Sequence, residues 1–261
     1  GVDLIVDLFG VMAAPTGSLV ERLSFDGVAW PPFSPAATDY AVECGTDGEE
    51  TIDLETVAAV TARVNGLVVN PARIQLAADV DQLLTVDLRR GAERIVYSFR
   101  CLPLDFPRLN VARTGPTSPG WYLTTLWAQA PTPSGFVGFS VILAGNGAPI
   151  WYKRTDSVVI DMKLRSDGRL IYTPLLGTAY GVDATRGYRV TSLAGTLVDE
   201  QFTVNPGANP VDHHDYVELS NGGRAMVAYP LKTNVNMSAM VDPSYGPGEW
   251  IVAGVIPASN A

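Results

Sequence analysis

The stretch Asp212-His213-His214-Asp215 holds the side chains best suited to chemistry in this sequence. It contains both of the 2 histidines of the chain. Imidazole is a base and a nucleophile near neutral pH, and a neighbouring carboxylate can fix its tautomer. We therefore take Asp212, His213, His214 and Asp215 as candidate catalytic residues.

The elements that must position this cluster are two predicted strands. Tyr216 to Leu219 and Ala225 to Tyr229 have strand-like composition, and the polar turn Ser220 to Gly223 separates them. The histidines are then expected in a loop at the rim of a β-hairpin, where functional side chains are often displayed. Arg224, directly after the turn, is either an anion-binding residue or an ordinary exposed strand arginine.

Short strands joined by turns are predicted along the rest of the chain. The valines of Asp53 to Val64 have helical spacing, but Asn65-Gly66 directly after them is a strong hairpin signal, so we expect strands here. The 25 Gly and 19 Pro residues separate the remaining segments. The sequence therefore predicts an all-β fold. Further hairpin turns are expected at Arg90-Gly91, Asn146-Gly147 and Asp167-Gly168.

Composition narrows the functional classes. Of 261 residues, 47% are hydrophobic and 17% charged, which is typical of a globular chain and not of a disordered or fibrous one. The net charge of -9 and the lack of clustered Lys and Arg argue against a nucleic-acid partner. No apolar run reaches the roughly 18 residues of a membrane span, so none is expected.

The 2 cysteines, Cys44 and Cys101, each close a predicted strand. Two free buried thiols are one interpretation, but a disulfide is expected in an acidic, loop-rich chain with an extracellular character. Such a bridge would staple one module, predicted over residues 17–104. Residues 1–16 alternate like the closing strand of a preceding β-module, which favours a piece of a longer protein.

An internal repeat follows in residues 105–261. Asp161 to Gly168 aligns with Asp215 to Gly222, and Leu143 to Gly145 aligns with Leu193 to Gly195, each about 50 residues later. This period, in antiparallel strands, is typical of propeller blades. The region has room for roughly three blades, fewer than the minimum of about four in a closed propeller. We therefore predict a disulfide-stapled β-sandwich followed by antiparallel blades of an incomplete propeller.

The order of several short motifs carries a family resemblance. These motifs are Phe33-Ser34-Pro35, Thr38 to Val42, Arg100 to Pro103, Gly120 to Leu123, Gly147 to Tyr152, Asp161-Met162-Lys163 and Asp212 to Asp215. Together they resemble secreted bacterial proteins of the arylsulfotransferase family, in which a cadherin-like β-sandwich precedes a propeller. The resemblance covers the chain from about residue 19 onward.

This resemblance implies an activity. The family moves a sulfuryl group from an aryl sulfate to a phenolic acceptor through a sulfated histidine, without a nucleotide donor or another cofactor. It implies that His213 and His214 bind sulfate or transfer protons, that Asp212 or Asp215 fixes a tautomer, and that the location is extracellular or at the cell surface. These four residues are the candidate catalytic residues, and Arg224, after the turn, is the candidate sulfate-binding residue. The family's functional histidines lie on several blades, so the remaining ones, including the nucleophile, are expected outside this chain. This chain alone is therefore expected to have little activity, and missing blades or other chains would complete the propeller.

Three alternatives stay open from the residues alone. The histidine pair can be a solvated loop with no reaction. Two imidazoles and a carboxylate can also bind zinc, but neighbouring strand residues point to opposite faces, so no metal site is expected. Finally, the whole chain can be a non-catalytic extracellular binding or structural module.

Overall fold

A computed structural model describes residues 18–44, 48–111, 119–131, 135–175, 185, 187–238, 241–246, 248–256 and 258–259. The regular elements of these residues are all β-strands, which confirms the all-β prediction. No helix long and apolar enough to cross a membrane occurs among the residues described. The predicted strand in residues 1–16 lies outside them. The chain divides into two compact units, Gly1–Thr124 with Val141–Tyr152, and Thr125–Ser140 with Lys153–Ala261.

Two sheets of the first unit share one core and form a β-sandwich. One sheet has three strands in the order β1-β4-β7, and the other has six in the order β2-β3-β9-β8-β5-β6. In β8 every second side chain is buried, as expected for a strand with one face on a core. The strands are β1 (Val20–Phe25), β2 (Ala29–Trp30), β3 (Asp39–Glu43), β4 (Glu49–Thr56), β5 (Thr61–Val64), β6 (Leu67–Val69), β7 (Arg73–Ala77), β8 (Leu83–Arg90) and β9 (Glu93–Leu102).

The predicted disulfide is present in this core. Cys44 and Cys101 are joined, with their Cα atoms 5.3 Å apart, and neither residue is exposed. The bond lies where β3 runs parallel to β9, since Val42 is the register partner of Cys101. It therefore ties together two strands that are far apart in the sequence.

The hairpin interpretation of the Asn65-Gly66 segment is also confirmed. Thr61–Val64 pairs with Leu67–Val69 across that turn, and Gly66 has a φ of 81°, in the left-handed region that a tight turn requires. A helix over residues 53–64 does not form, because residues 53–56 belong to β4 and residues 61–64 to β5.

The remaining sheets are small, and the three that lie wholly in the second unit are antiparallel. Their orders are β10-β11-β12, β13-β14-β15-β16, β17-β18-β21 and β19-β20. The four-stranded sheet follows chain order, as a propeller blade does. The strands are β10 (Tyr122–Gln129), β11 (Phe136–Leu143), β12 (Pro149–Thr155), β13 (Val158–Leu164), β14 (Leu170–Leu175), β15 (Tyr188–Thr191), β16 (Leu197–Gln201), β17 (Val211–Glu218), β18 (Arg224–Ala228), β19 (Leu231–Val235), β20 (Glu249–Val252) and β21 (Ala258–Ser259).

The alignment of Asp161 to Gly168 with Asp215 to Gly222 corresponds to a repeated turn. The alignment of Leu143 to Gly145 with Leu193 to Gly195 is out of register by two residues, since the equivalent turn glycines are Gly147 and Gly195. In each turn the amide of a first residue donates to the carbonyl of the residue four positions after it. The amide of a glycine three positions after the first residue donates to the carbonyl of that first residue. These glycines all have φ between 79° and 87°, which fits an L residue poorly. The same local chemistry therefore closes four hairpins. The glycines are Gly147, Gly168, Gly195 and Gly222.

A small buried cluster joins the two repeated hairpins of the second unit. It combines apolar side chains of β14 and β15 with those of β17 and β18. Tyr188 and Tyr216 lie at its centre, with ring centroids 5.3 Å apart. This packing fixes β17 against the four-stranded sheet. The members are Ile171, Tyr188, Val190, Val211, Tyr216 and Met226.

Candidate functional site

The histidine segment lies inside a strand, and not in the loop expected before Tyr216. Strand β17 begins at Val211, which is buried and pairs with Ala228. The next register pair is Tyr216 with Met226, so five residue steps on β17 oppose two on β18. The extra residues form a bulge that redirects the four side chains of the cluster. Burial of Val211 extended the strand, which the local polar sequence did not indicate.

Asp212 and His214 form a hydrogen-bonded carboxylate–imidazole pair. The Asp212 side chain has no exposed surface, whereas that of His214 is 60% exposed. Asp212 Oδ2 lies 2.6 Å from His214 Nδ1 and accepts a further bond of 2.8 Å from the His214 amide. These two contacts hold the proton on Nδ1, which leaves the Nε2 lone pair for a substrate.

His213 lies on the same side of the bulge as His214. The two ring centroids are 4.1 Å apart with an interplanar angle of 31°. His213 Nδ1 lies 3.6 Å from Asp212 Oδ1, a buried oxygen with no hydrogen-bond partner among the described residues. The expectation that the two imidazoles point to opposite faces is therefore wrong, because the bulge interrupts the alternation of the strand.

Asp215 forms an ion pair with Lys163 of strand β13. Lys163 Nζ also lies 2.9 Å from Asp161 Oδ1 and donates to the Tyr216 carbonyl at 2.8 Å. Burial alone would lower the pKa of Lys163, but the bonds from Asp215 and Asp161 outweigh this and raise it. The lysine therefore stays cationic beside the residue that follows His214.

Asp161 connects three parts of this network. Its Oδ2 accepts bonds from the Tyr188 hydroxyl at 3.0 Å, the Tyr216 amide at 3.0 Å and Lys163 Nζ at 3.1 Å. Burial, together with the neighbouring carboxylates of Asp161 and Asp212, raises the pKa of Tyr188 far above its usual value. The tyrosine therefore stays protonated and remains a donor to Asp161.

A second ion pair joins the same two hairpins. Arg165 Nε lies 2.6 Å from Glu218 Oε1, while Glu218 Oε2 accepts from the hydroxyl of Ser166 at 3.1 Å. Burial would raise the pKa of Glu218, but the bonds from Arg165 and Ser166 outweigh it and lower that pKa. Both pairs link the β13–β14 hairpin to β17, so they position the strand that carries the histidines.

Arg224 lies at the other end of the hairpin from the histidines. It is the register partner of Glu218, next to the turn, and its guanidinium donates to the Phe202 carbonyl at 3.5 Å. The bulge faces the opposite end of β18, about three residues or roughly 10 Å away. The structure thus brings Asp212, His213 and His214 together, with Asp215 on Lys163, and keeps Arg224 apart from them.

Lys163, Asp161 and Tyr188 belong to the site but were not among the candidates. The alignment of Asp161 with Asp215 was a usable signal, because both residues lie at register irregularities of their strands. Asp161 has a φ of 51°, a conformation that aspartate tolerates better than most residues. Tyr188 carries no comparable signal in the sequence, because it lies on β15 and reaches Asp161 of β13 across the intervening strand β14.

Comparisons with known proteins provide no family assignment. No family model matches the sequence, and a search of curated proteins gives no match either. The functional argument therefore depends on the geometry of the site.

Proposed function

We propose that this chain contributes the Asp212–His214 pair to an active site that transfers a sulfuryl group from an aryl sulfate to a phenolic acceptor, as the arylsulfotransferase resemblance implies, with His214 as the nucleophile instead of a histidine on another blade. The supporting observation is the contact of 2.6 Å between Asp212 Oδ2 and His214 Nδ1. A buried carboxylate that fixes one imidazole nitrogen orients the ring and leaves the other nitrogen basic and nucleophilic. The exposure of His214 gives a substrate access to that nitrogen.

The reaction would proceed in two displacements. His214 Nε2 attacks sulfur, the bond from sulfur to the aryl oxygen breaks, and the phenol leaves with a proton from solvent or a nearby acid. A phenolic acceptor then attacks the same sulfur, the nitrogen–sulfur bond breaks, and the acceptor loses its proton. Asp212 stabilises the positive charge that the imidazole carries in between.

The other members of the cluster have supporting roles. Lys163 bonds to Asp215 and to the Tyr216 carbonyl, so its ammonium lies beside the residue that follows His214. An ammonium beside the transferring group offsets its negative charge. His213 packs against the His214 ring and is a candidate proton donor to the leaving oxygen. Sulfate binding by Arg224 stays a prediction, and at roughly 10 Å from the histidines this residue is given no contact with the group transferred at His214.

An extracellular or cell-surface location belongs to the same proposal. The bond between Cys44 and Cys101 forms and persists in an oxidising compartment. Aryl sulfates and phenols are the small molecules expected as partners there.

The test compares His214→Ala and His213→Ala with the wild type, in the protein as it is naturally produced. A chromogenic aryl sulfate is supplied with a phenolic acceptor, and release of the chromophore is followed. We expect His214→Ala to lower the rate by about 100-fold or more, the usual effect of losing a nucleophile or base. His213→Ala should lower it less, because Asp212 and His214 stay paired.

Circular dichroism and thermal unfolding serve as controls for folding. If no aryl sulfate is turned over, or if His214→Ala keeps the wild-type rate, the catalytic proposal fails. The chain would then be a non-catalytic extracellular binding or structural module.

A further inference from the structure

The bulge of β17 also brings together three potential metal ligands. Asp212, His213 and His214 each offer one ligand atom, and these atoms lie within 4.8 Å of one another. A search of the described residues for three or more His, Cys, Asp or Glu side chains close enough to share an ion finds this one group. We propose that these three residues form a binding site for a divalent transition-metal ion, with Zn²⁺ as its occupant.

The strongest indication is the state of the Asp212 carboxylate. This side chain has no exposed surface, and its Oδ2 is held by the ring and the amide of His214. Its Oδ1 is buried and has no hydrogen-bond partner among the described residues. A buried, charged oxygen without a partner is costly, and a cation beside it removes that cost.

The distances suit zinc. Asp212 Oδ1 and His213 Nδ1 are 3.6 Å apart. If an ion lay about 2.1 Å from both atoms, the angle at the ion between them would be about 120°, close to the tetrahedral value. Tetrahedral ligands lie about 3.4 Å apart, so the third ligand has to move by at most about 1.5 Å. His214 is exposed enough for that movement, which would exchange its ring contact with Asp212 Oδ2 for coordination of the ion.

The ligand types select the class of ion. Two imidazoles and one carboxylate suit zinc and its neighbours, whereas Mg²⁺ and Ca²⁺ prefer sites made of oxygen ligands alone. The neighbouring carboxylates of Asp215 and Asp161 both contact Lys163 and do not extend the site towards an oxygen-rich one. A fourth position at the exposed side would hold water.

Metal binding goes beyond sulfuryl transfer and does not depend on it. A zinc ion takes up lone pairs of the two rings and draws His214 away from its role as a nucleophile. If both properties exist, zinc inhibits transfer, and chelation restores it. Binding itself is measured without any substrate, so each proposal can fail alone.

The binding experiment uses the 261-residue chain without a histidine tag, because its 2 histidines are then the only imidazoles present. Zn²⁺ is titrated by calorimetry at neutral pH, with Mg²⁺ as a comparison ion. We expect about one zinc ion per chain and no heat of binding for Mg²⁺. Cobalt provides a second readout, because its visible absorption reports a tetrahedral site.

Variants assign the ligands. Loss of a group that only hydrogen-bonds to a metal ligand typically weakens metal binding by about 10- to 100-fold. His213→Ala and His214→Ala each remove a ligand, so each should weaken zinc binding by more than this. Asp215→Asn is the matched control, since it removes a carboxylate one position from His214 that is paired with Lys163. That variant should bind zinc within about threefold of the wild type.

Asp212→Asn completes the set, and thermal unfolding with and without zinc checks that it folds. Zinc should raise the unfolding temperature of the wild type and of Asp215→Asn, but not of the two alanine variants. The proposal is overturned if the wild type does not bind zinc, or if the double variant His213→Ala/His214→Ala binds it as tightly as the wild type.

Discussion

Replacement of Asp161 tests whether the repeated hairpins are coupled as described. Its Oδ2 is the common acceptor for the Tyr188 hydroxyl, the Tyr216 amide and Lys163. Both tyrosines are buried, with 0% and 4% of their surface exposed. Asp161→Ala removes the acceptor from all three donors, while Asp161→Asn keeps an oxygen in the same place.

The magnitude follows from these contacts. Each buried donor left without an acceptor costs about 1 to 3 kcal/mol, and two such donors remain in Asp161→Ala. The φ of 51° adds about 1 kcal/mol, because alanine adopts that conformation less readily than aspartate or asparagine. We therefore expect a loss of about 3 to 7 kcal/mol in the free energy of unfolding. Asp161→Asn should lose about 1 kcal/mol, since only the charge facing the partly exposed Lys163 is removed.

Urea denaturation of the three proteins measures these differences. Asp156→Ala is the matched control, because that side chain is 82% exposed and its ion pair with Arg154 lies at the surface. It should stay within about 0.5 kcal/mol of the wild type. Hydrogen exchange at the Tyr216 amide should accelerate in Asp161→Ala more than in Asp161→Asn. Equal stability of Asp161→Ala and Asp156→Ala would refute the coupling.

Two further predictions concern the sandwich. The double variant Cys44→Ala/Cys101→Ala should lose about 4 kcal/mol in the free energy of unfolding. The reason is that the disulfide closes a loop with a sequence separation of 57 and so restricts the unfolded chain. Denaturation of the oxidised wild type and of the variant measures this difference. Burial, with repulsion from Tyr40, raises the pKa of Tyr97 from 10.0 to about 12. The protonated phenol therefore contributes stability that is complete below pH 10 and lost as the pH rises towards 12, and Tyr97→Phe should flatten that part of a denaturation series. An ultraviolet titration in which Tyr97 ionises at its ordinary pKa would contradict the second prediction.

Local turn chemistry explains which parts of the fold were predictable. Asn65-Gly66 and Asp167-Gly168 both form the expected hairpin turns, because a left-handed glycine at a fixed position is a property of a few adjacent residues. The disulfide between Cys44 and Cys101 could be predicted because the chain has only 2 cysteines and the acidic, loop-rich character of an extracellular protein. The parallel pairing of β3 with β9 could not, since nothing local specifies which distant strand provides an edge.

The candidate site was predictable in its residue types but not in its geometry. Asp212, His213 and His214 stand out by composition, yet their common orientation depends on the bulge between Val211 and Tyr216. That bulge is set by the pairing of Val211 with Ala228, across the hairpin. Lys163 was hidden for the same reason, because its partner Asp215 lies in another hairpin.

In the ion pairs between the repeated hairpins, all the cations come from one copy and all the anions from the other. Lys163 and Arg165 supply the cations from the first copy, while Asp215 and Glu218 supply the anions from the second. At the positions of the two cations, the aligned second copy carries Val217 and Leu219. These aliphatic side chains cannot continue the series of ion pairs. Any element that packs beyond the second hairpin in the same way must therefore be held by apolar contacts.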